Sequence, residues 1–347
     1  MKRIFIICIC LYANFSFACT HFRLIAKDNS VIIGRSMEFG PNLETEIYTV
    51  NRDTAFNSKT PDGKPGLNWK AKYGYLALNG FGLFPVSGIN EQGLSFDLLY
   101  FPDLAQYEAY DADKASNAMP YYQIADYLLG NFSSIAEIKQ ALPKLNVYAK
   151  ALEHAGQSVV FPVHYVVTDK NGGSIAIEYI KGKLHIYDNK TGILTNSPSY
   201  PWQVTNLKNY VNLTPNAPDS ITKDGITYTA TGQGGGAVGL PGDYTPPSRF
   251  VRVAYLVSTA EQMDNASKTI NLATHILNNV DIPYGAVRGP KGDNKANDMD
   301  YTQWVVIKDL THHALYFRDY LNLTMQKIDM NQFKFEPNSP AFRRKIG

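Results

Sequence analysis

The stretch up to Cys19 constrains this chain more than any other. Lys2-Arg3 opens it, Ile4 to Tyr12 is a short apolar run, and Ser16-Phe17-Ala18 puts small residues at −3 and −1. That is the pattern of a secretory signal over residues 1–18, removed during export. The protein is therefore expected to be exported, periplasmic or secreted, with Cys19 as its new first residue. The apolar run is too short to serve as a mature membrane helix, and no later segment offers ~18 consecutive apolar residues. A mature chain with no membrane span follows.

Cysteine usage sharpens the point. Of the three cysteines, Cys8 and Cys10 leave with the leader, so the mature chain keeps Cys19 alone and has no internal disulfide. A lone thiol in an exported protein needs explaining. Passive core filling is the ordinary explanation, but a residue at the cut site is a poor candidate for it. A lipoprotein signal also ends before Cys. Such signals normally carry Leu, Val or Ile at −3, where this chain has Ser16. The 33 Lys and Arg, of which the leader takes two, stand against 31 Asp and Glu. A balanced chain without a basic block offers nucleic acid no electrostatic footprint.

The mature chain opens as a hairpin: Thr20 to Ala26, a turn at Asp28-Asn29, then Val31 to Phe39. With Asp28 and Asn29 as a two-residue loop, Cys19 faces Glu38 and Arg35 faces Phe22. Positions 35 and 38 of a regular strand point to opposite faces, so both reach one site only through a bulge or a long reach. Residues 51–70 read as a loop. Strands are expected at Tyr73–Leu78, Leu83–Gly88 and Leu94–Tyr100. Helices follow at Tyr121–Leu129 and Ser134–Leu142, the second with a capping box of Ser134 and Glu137. A second strand set covers His164–Thr168, Ser174–Tyr179, Lys183–Tyr187 and Gly192–Thr195. Residues 212–248, rich in Pro and Gly, form an excursion. Helices return at Ser248–Val257 and Ala260–Val280, and strands Gln303–Asp309, Ala314–Arg318 and Thr324–Lys327 close the chain. Without a linker or repeat, residues 19–347 read as one α+β domain of two antiparallel sheets covered by helices.

A free N-terminal Cys carries nucleophile and base together. Its α-amine titrates near 7.7–8.0 and its thiol near 8.5, so the amine can take the thiol proton without a His. Such a site needs a group to hold the amine, a cation near sulfur and donors for a tetrahedral oxyanion.

At this point the chain resembles the choloylglycine hydrolases, N-terminal nucleophile enzymes that include penicillin V acylases and bile salt hydrolases. The resemblance is carried by Cys19 and Gly34-Arg35-Ser36-Met37-Glu38-Phe39, then Asn90-Glu91-Gln92-Gly93-Leu94 before Leu99-Tyr100-Phe101. Leu194-Thr195-Asn196-Ser197-Pro198 and Gly239-Leu240-Pro241-Gly242-Asp243 before Ser248-Arg249-Phe250 continue it. It implies a four-layer αββα sandwich and hydrolysis of a linear amide without metal or cofactor. Cys19 would supply sulfur and amine, Arg35 would favour thiolate, and Glu38, where the family usually has Asp, would hold the amine. Asn196 and the Tyr100 backbone N–H would stabilise the oxyanion, and Arg249 would add positive potential. Alone, Arg35 and Glu38 are an ordinary ion pair, Asn196-Ser197-Pro198 is a turn, and Arg249 belongs to an exposed first helical turn.

Tyr100 tilts the resemblance towards aryl or fatty N-acyl substrates of the penicillin V acylase type. The alternatives are a conjugated bile salt hydrolase releasing glycine or taurine, and a lipid-anchored binding protein without activity. Homotetramers are common in the family. A papain-like order of Cys19, His164 and Asn196 lacks the upstream oxyanion residue such enzymes use, and His164 reads as a hydrogen-bonded strand residue. His312-His313 are taken as strand neighbours pointing apart, and Gly232-Gln233-Gly234-Gly235-Gly236 lacks the strand–turn–helix setting of a dinucleotide loop.

Overall fold

The computed structural model describes residues 17–289 and 299–346; residues 1–16 of the expected leader lie outside it. The strands of the two large sheets are β1 (Phe17–Ile25), β2 (Val31–Phe39), β3 (Glu46–Val50), β4 (Tyr75–Gly80), β5 (Phe84–Asn90), β6 (Ser95–Tyr100) and β7 (Val163–Thr168). They continue as β8 (Ser174–Ile180), β9 (Lys183–Asp188), β10 (Ile193–Leu194), β11 (Met299–Asp309), β12 (Ala314–Asp319), β13 (Gln326–Asp329) and β14 (Arg343–Lys345). The first sheet runs β10-β1-β2-β11-β12-β13, with Val287–Arg288 added beside β11; the second runs β9-β8-β7-β6-β5-β4-β3-β14. Their paired strands are antiparallel.

Every residue of β2 is buried, as a central strand covered on both faces requires. Helix α1 (Ile124–Asn131) packs on β5 and β6, with α2 (Ile135–Ala141) following; Ser134 and Glu137 make the expected capping box. After α3 (Tyr200–Asn206), α4 (Pro246–Thr259) packs on β1, and α5 (Ala266–Asn278) packs on β2 and β11. The result is the αββα sandwich. Among the described residues no helix is long and apolar enough to cross a membrane.

The hairpin register differs from the expected one by one residue. Cys19 pairs with Met37, Ala18 with Glu38 and His21 with Arg35. The reason is the turn. Ala26 donates to Ser30 O across three loop residues, and the third, Asn29, has φ 67°. A three-residue loop closed by a left-handed residue shifts every pair relative to a two-residue loop. Gly34 then lies opposite Phe22, so close that a Cβ there would meet the ring at 2.2 Å. The bulge that residues 35 and 38 require exists in the β2–β11 ladder, between Met37 and Glu38.

Two further expectations are corrected. Residues 51–70 hold a hairpin, Ala55–Lys59 with Pro65–Lys70, because Phe56 stacks on Trp69 at 5.0 Å. His312 and His313 lie in the β11–β12 turn, where Asp309 accepts from the Thr311 and His312 backbones.

Candidate active site

The inner ends of β1, β2 and β6, the turn after β10 and the first turn of α4 meet at Cys19. Cys19 is buried, and its Sγ lies 3.2 Å from Arg35 Nη2 and 3.7 Å from Met37 Sδ. Arg35 is fully buried beside it. Its Nη2 also donates to Leu98 O at 2.8 Å and its Nη1 donates to Ser36 O. A guanidinium held this way sets a positive charge against the sulfur.

Asn196 follows β10 and is held from three sides. His164 Nε2 bonds Thr195 O at 2.9 Å, Thr195 Oγ1 donates to Pro246 O at 3.1 Å, and Ser197 Oγ donates to Pro102 O at 2.6 Å. Asn196 Oδ1 accepts from the Cys19 nitrogen and from Arg249 Nη2, both at 2.7 Å. Nδ2 donates to Tyr100 O at 2.8 Å. An amide nitrogen has two N–H bonds, so one beyond the Tyr100 contact can serve an oxyanion.

Arg249 enters from α4, where Thr245, Pro246 and Pro247 start the helix. Its Nη1 donates to Cys19 O and Thr20 Oγ1, each at 2.6 Å, and Nε donates to Tyr244 O at 3.0 Å. Far from an exposed first turn, this side chain is fully buried.

Glu38 is also fully buried. Thr302 Oγ1 donates to its Oε1 at 3.2 Å, the Ser36 hydroxyl also pulls on the carboxyl, and among the described residues none meets hydrogen-bond geometry at Oε2. Burial pushes the carboxyl up to about 7, against the pull of Arg249. Here Cys19 is still joined to Ala18, and its one N–H goes to Asn196. Glu38 sits across from Ala18, one position towards the leader.

Sγ faces a small apolar cavity whose walls include Phe39, Phe81, Phe84, Leu98, Tyr100 and Phe161. Burial raises the Tyr100 phenol to about 12, so it is neutral.

Residues 19–342 match the model of the linear amide C–N hydrolases, choloylglycine hydrolase family. The chain belongs to the choloylglycine hydrolase family. It is a linear amide C–N hydrolase. It is 34% identical over 323 residues to a bile salt hydrolase/transferase of Clostridium perfringens, covering 92% of this chain and 94% of that one. It is 27% identical to a penicillin V acylase of Pectobacterium atrosepticum, over 93% of this chain and 83% of that one. A crystal structure of a variant conjugated bile acid hydrolase from Clostridium perfringens superposes with a TM-score of 0.81, at 31% identity, over 95% of this chain and 97% of that one.

Within this choloylglycine hydrolase, five of the six expected site residues are linked by direct contacts: Cys19, Arg35, Tyr100, Asn196 and Arg249. Glu38 stands beside them, with Thr302 rather than the Cys19 nitrogen on its carboxylate. Sequence reading missed a second group behind Arg35. Asp97 accepts from Ser87 Oγ at 2.6 Å and from Lys308 Nζ at 2.7 Å, and meets His21 Nδ1 at 2.8 Å. All four are buried. The available signal was a charge inside an apolar strand: Asp97 in Ser95–Leu99, and Lys308 after Trp304–Ile307.

Proposed function

We propose that Cys19, freed as the first residue of an exported chain, is the nucleophile of an acylase for amides with an apolar aryl or fatty acyl group. The observation that carries this reading is the Cys19 sulfur between the Arg35 guanidinium and an apolar cavity, with Asn196 on its nitrogen. Cleavage before Cys19 turns its peptide nitrogen into an amine. Glu38 Oε2, buried and without a hydrogen-bond partner among the described residues, offers that amine an acceptor, and a cation there draws the raised carboxyl back to its ionised form.

The amine takes the thiol proton as sulfur attacks the acyl carbonyl. The oxyanion is stabilised by Asn196 Nδ2 and the Tyr100 backbone N–H. Collapse breaks the C–N bond, and the α-ammonium returns the proton to the leaving amine. Water then gives its proton to the same amine, attacks the thioester and releases the carboxylic acid and the thiol.

A conjugated bile salt is the second reading, favoured by the higher identity to the named bile salt hydrolase. The cavity favours the first, because its aromatic and aliphatic walls give steroid hydroxyls few partners. Release of phenoxyacetate or fatty acid from N-acyl amides, against release of glycine or taurine from bile conjugates, decides between them. A homotetramer fits the exposed Ile221, Ile226 and Tyr228 of the Ile221–Lys223 and Ile226–Tyr228 hairpin, and solution mass tests it.

A further inference from the structure

Asp97 and Lys308 bridge the two sheets directly behind Arg35, and the steps above do not use them. We propose that Lys308 is a positioning residue for the reactive sulfur: by taking up the Asp97 charge, it leaves Arg35 oriented but not neutralised. The inference rests on the reading of Cys19 as nucleophile.

The geometry shows a division of labour on one oxygen. Asp97 Oδ1 accepts from Lys308 Nζ at 2.7 Å and from Ser87 Oγ at 2.6 Å. Arg35 Nε lies 3.9 Å from the same oxygen and has no hydrogen-bond partner among the described residues. Asp97 therefore attracts the guanidinium without bonding it. The Arg35 guanidinium lies over the Trp304 ring, 5.8 Å from the centroid, and its hydrogen-bond contacts go to the neutral carbonyls of Ser36 and Leu98, to Met37 Sδ and to Cys19 Sγ. Of these, only the Cys19 sulfur can become an anion.

The charges then add up in favour of that anion. Asp97 is negative and Arg35 positive, and Lys308, which burial lowers to about 8 against its bond to Asp97, is positive below that pH, which leaves one positive charge there. Asp97 is ionised: burial pushes it up, but Lys308, His21 and Arg35 together hold it well below the usual range. His21 is neutral, because burial lowers it against its bond to Asp97. On the other side of the sulfur, Glu38 and Arg249 attract each other, and the Tyr100 phenol is neutral. If Lys308 lost its charge, Asp97 would cancel Arg35, and the sulfur would keep only the charge of its own α-amine beside the Glu38 and Arg249 pair.

The test is alkylation of Cys19 by iodoacetamide across pH in the full chain, read from the mass of its peptide. Turnover of N-acyl amides is measured in parallel. Lys308→Met is expected to move the alkylation midpoint up by about one pH unit, slowing the reaction about tenfold below the midpoint. Asp97→Asn combined with Lys308→Met removes both charges and is expected to restore the wild-type midpoint. Lys308→Arg is expected to keep it. A lower melting temperature with an unmoved midpoint in Lys308→Met would overturn the proposal, leaving Lys308 a purely structural residue. Should Lys308→Met fail to fold, Asp97→Asn with Lys308 intact decides: losing the carboxylate while keeping the ammonium should lower the midpoint, and an unmoved midpoint overturns the proposal. Shifted alkylation in a chain that hydrolyses no amide would support this inference and sink the acylase reading. Turnover with unshifted alkylation would do the reverse.

Discussion

Cys19 and Asn196 are 177 residues apart in the chain, yet the Cys19 nitrogen donates to Asn196 Oδ1 at 2.7 Å. Arg249 Nη2 donates to the same oxygen. Two donors on one oxygen leave the amide no second orientation, so Nδ2 must face Tyr100 and the reacting carbonyl. Asn196→Ala is expected to lower kcat by about 10²–10³, while Cys19 still alkylates. Steady-state kinetics beside thiol labelling checks this, and unchanged kcat would remove Asn196 from the oxyanion site.

Cleavage before Cys19, as proposed, would make the Glu38 contribution to stability depend on processing. In the uncut chain its carboxyl is raised to about 7, mainly by burial. A folded-state value above the unfolded one contributes stability that is full below about 4.5 and is lost as pH rises through about 7. Glu38→Gln should therefore stabilise the uncut chain at pH 8 by on the order of 1–3 kcal/mol relative to wild type, with little gain near pH 4. In the cut chain the same change removes the partner of the ammonium and should destabilise. Melts of both forms at both pH values give the signs.

Arg249 ties β1 to α4 and to the turn that carries Asn196. Its guanidinium satisfies Cys19 O, Thr20 Oγ1, Tyr244 O and Asn196 Oδ1. Arg249→Met leaves these buried acceptors short of donors and Glu38 short of its cation. A loss of roughly 3–5 kcal/mol is expected, with kcat falling in whatever fraction folds. Denaturant titration with active-site labelling measures both.

The apolar cavity at Cys19, proposed to take the acyl group, is walled in part by Phe161, which is only partly buried. Truncating it lengthens the cavity without opening the core. Phe161→Ala should move the preferred acyl chain to longer homologues, changing the ratio of kcat/KM between neighbours by about 10–200-fold. A homologous series of N-acyl amides reads this directly.

Which residues meet was more legible in the sequence than how they meet. Cys19, Arg35, Asn196 and Arg249 stand in the motifs that carry the family resemblance, and the structure gathers them. The hairpin register was not legible, because Asn29 in a left-handed conformation turns a two-residue loop into three. The hairpin at 55–70 was hidden by Pro and Gly, since the Phe56–Trp69 stack that supports it is visible only in three dimensions. Lys308 and Asp97 lie 211 residues apart. Neither side chain alone indicates a partner across the sheet interface.

One measurement reaches the centre of the account: the intact mass of exported protein that is turning over an N-acyl amide, taken before and after alkylation. The expected mass is that of a chain beginning at an unmodified Cys19, rising by a single adduct as turnover stops. Active protein that retains residues before Cys19, or carries an acyl or lipid group on it, would contradict the mechanism.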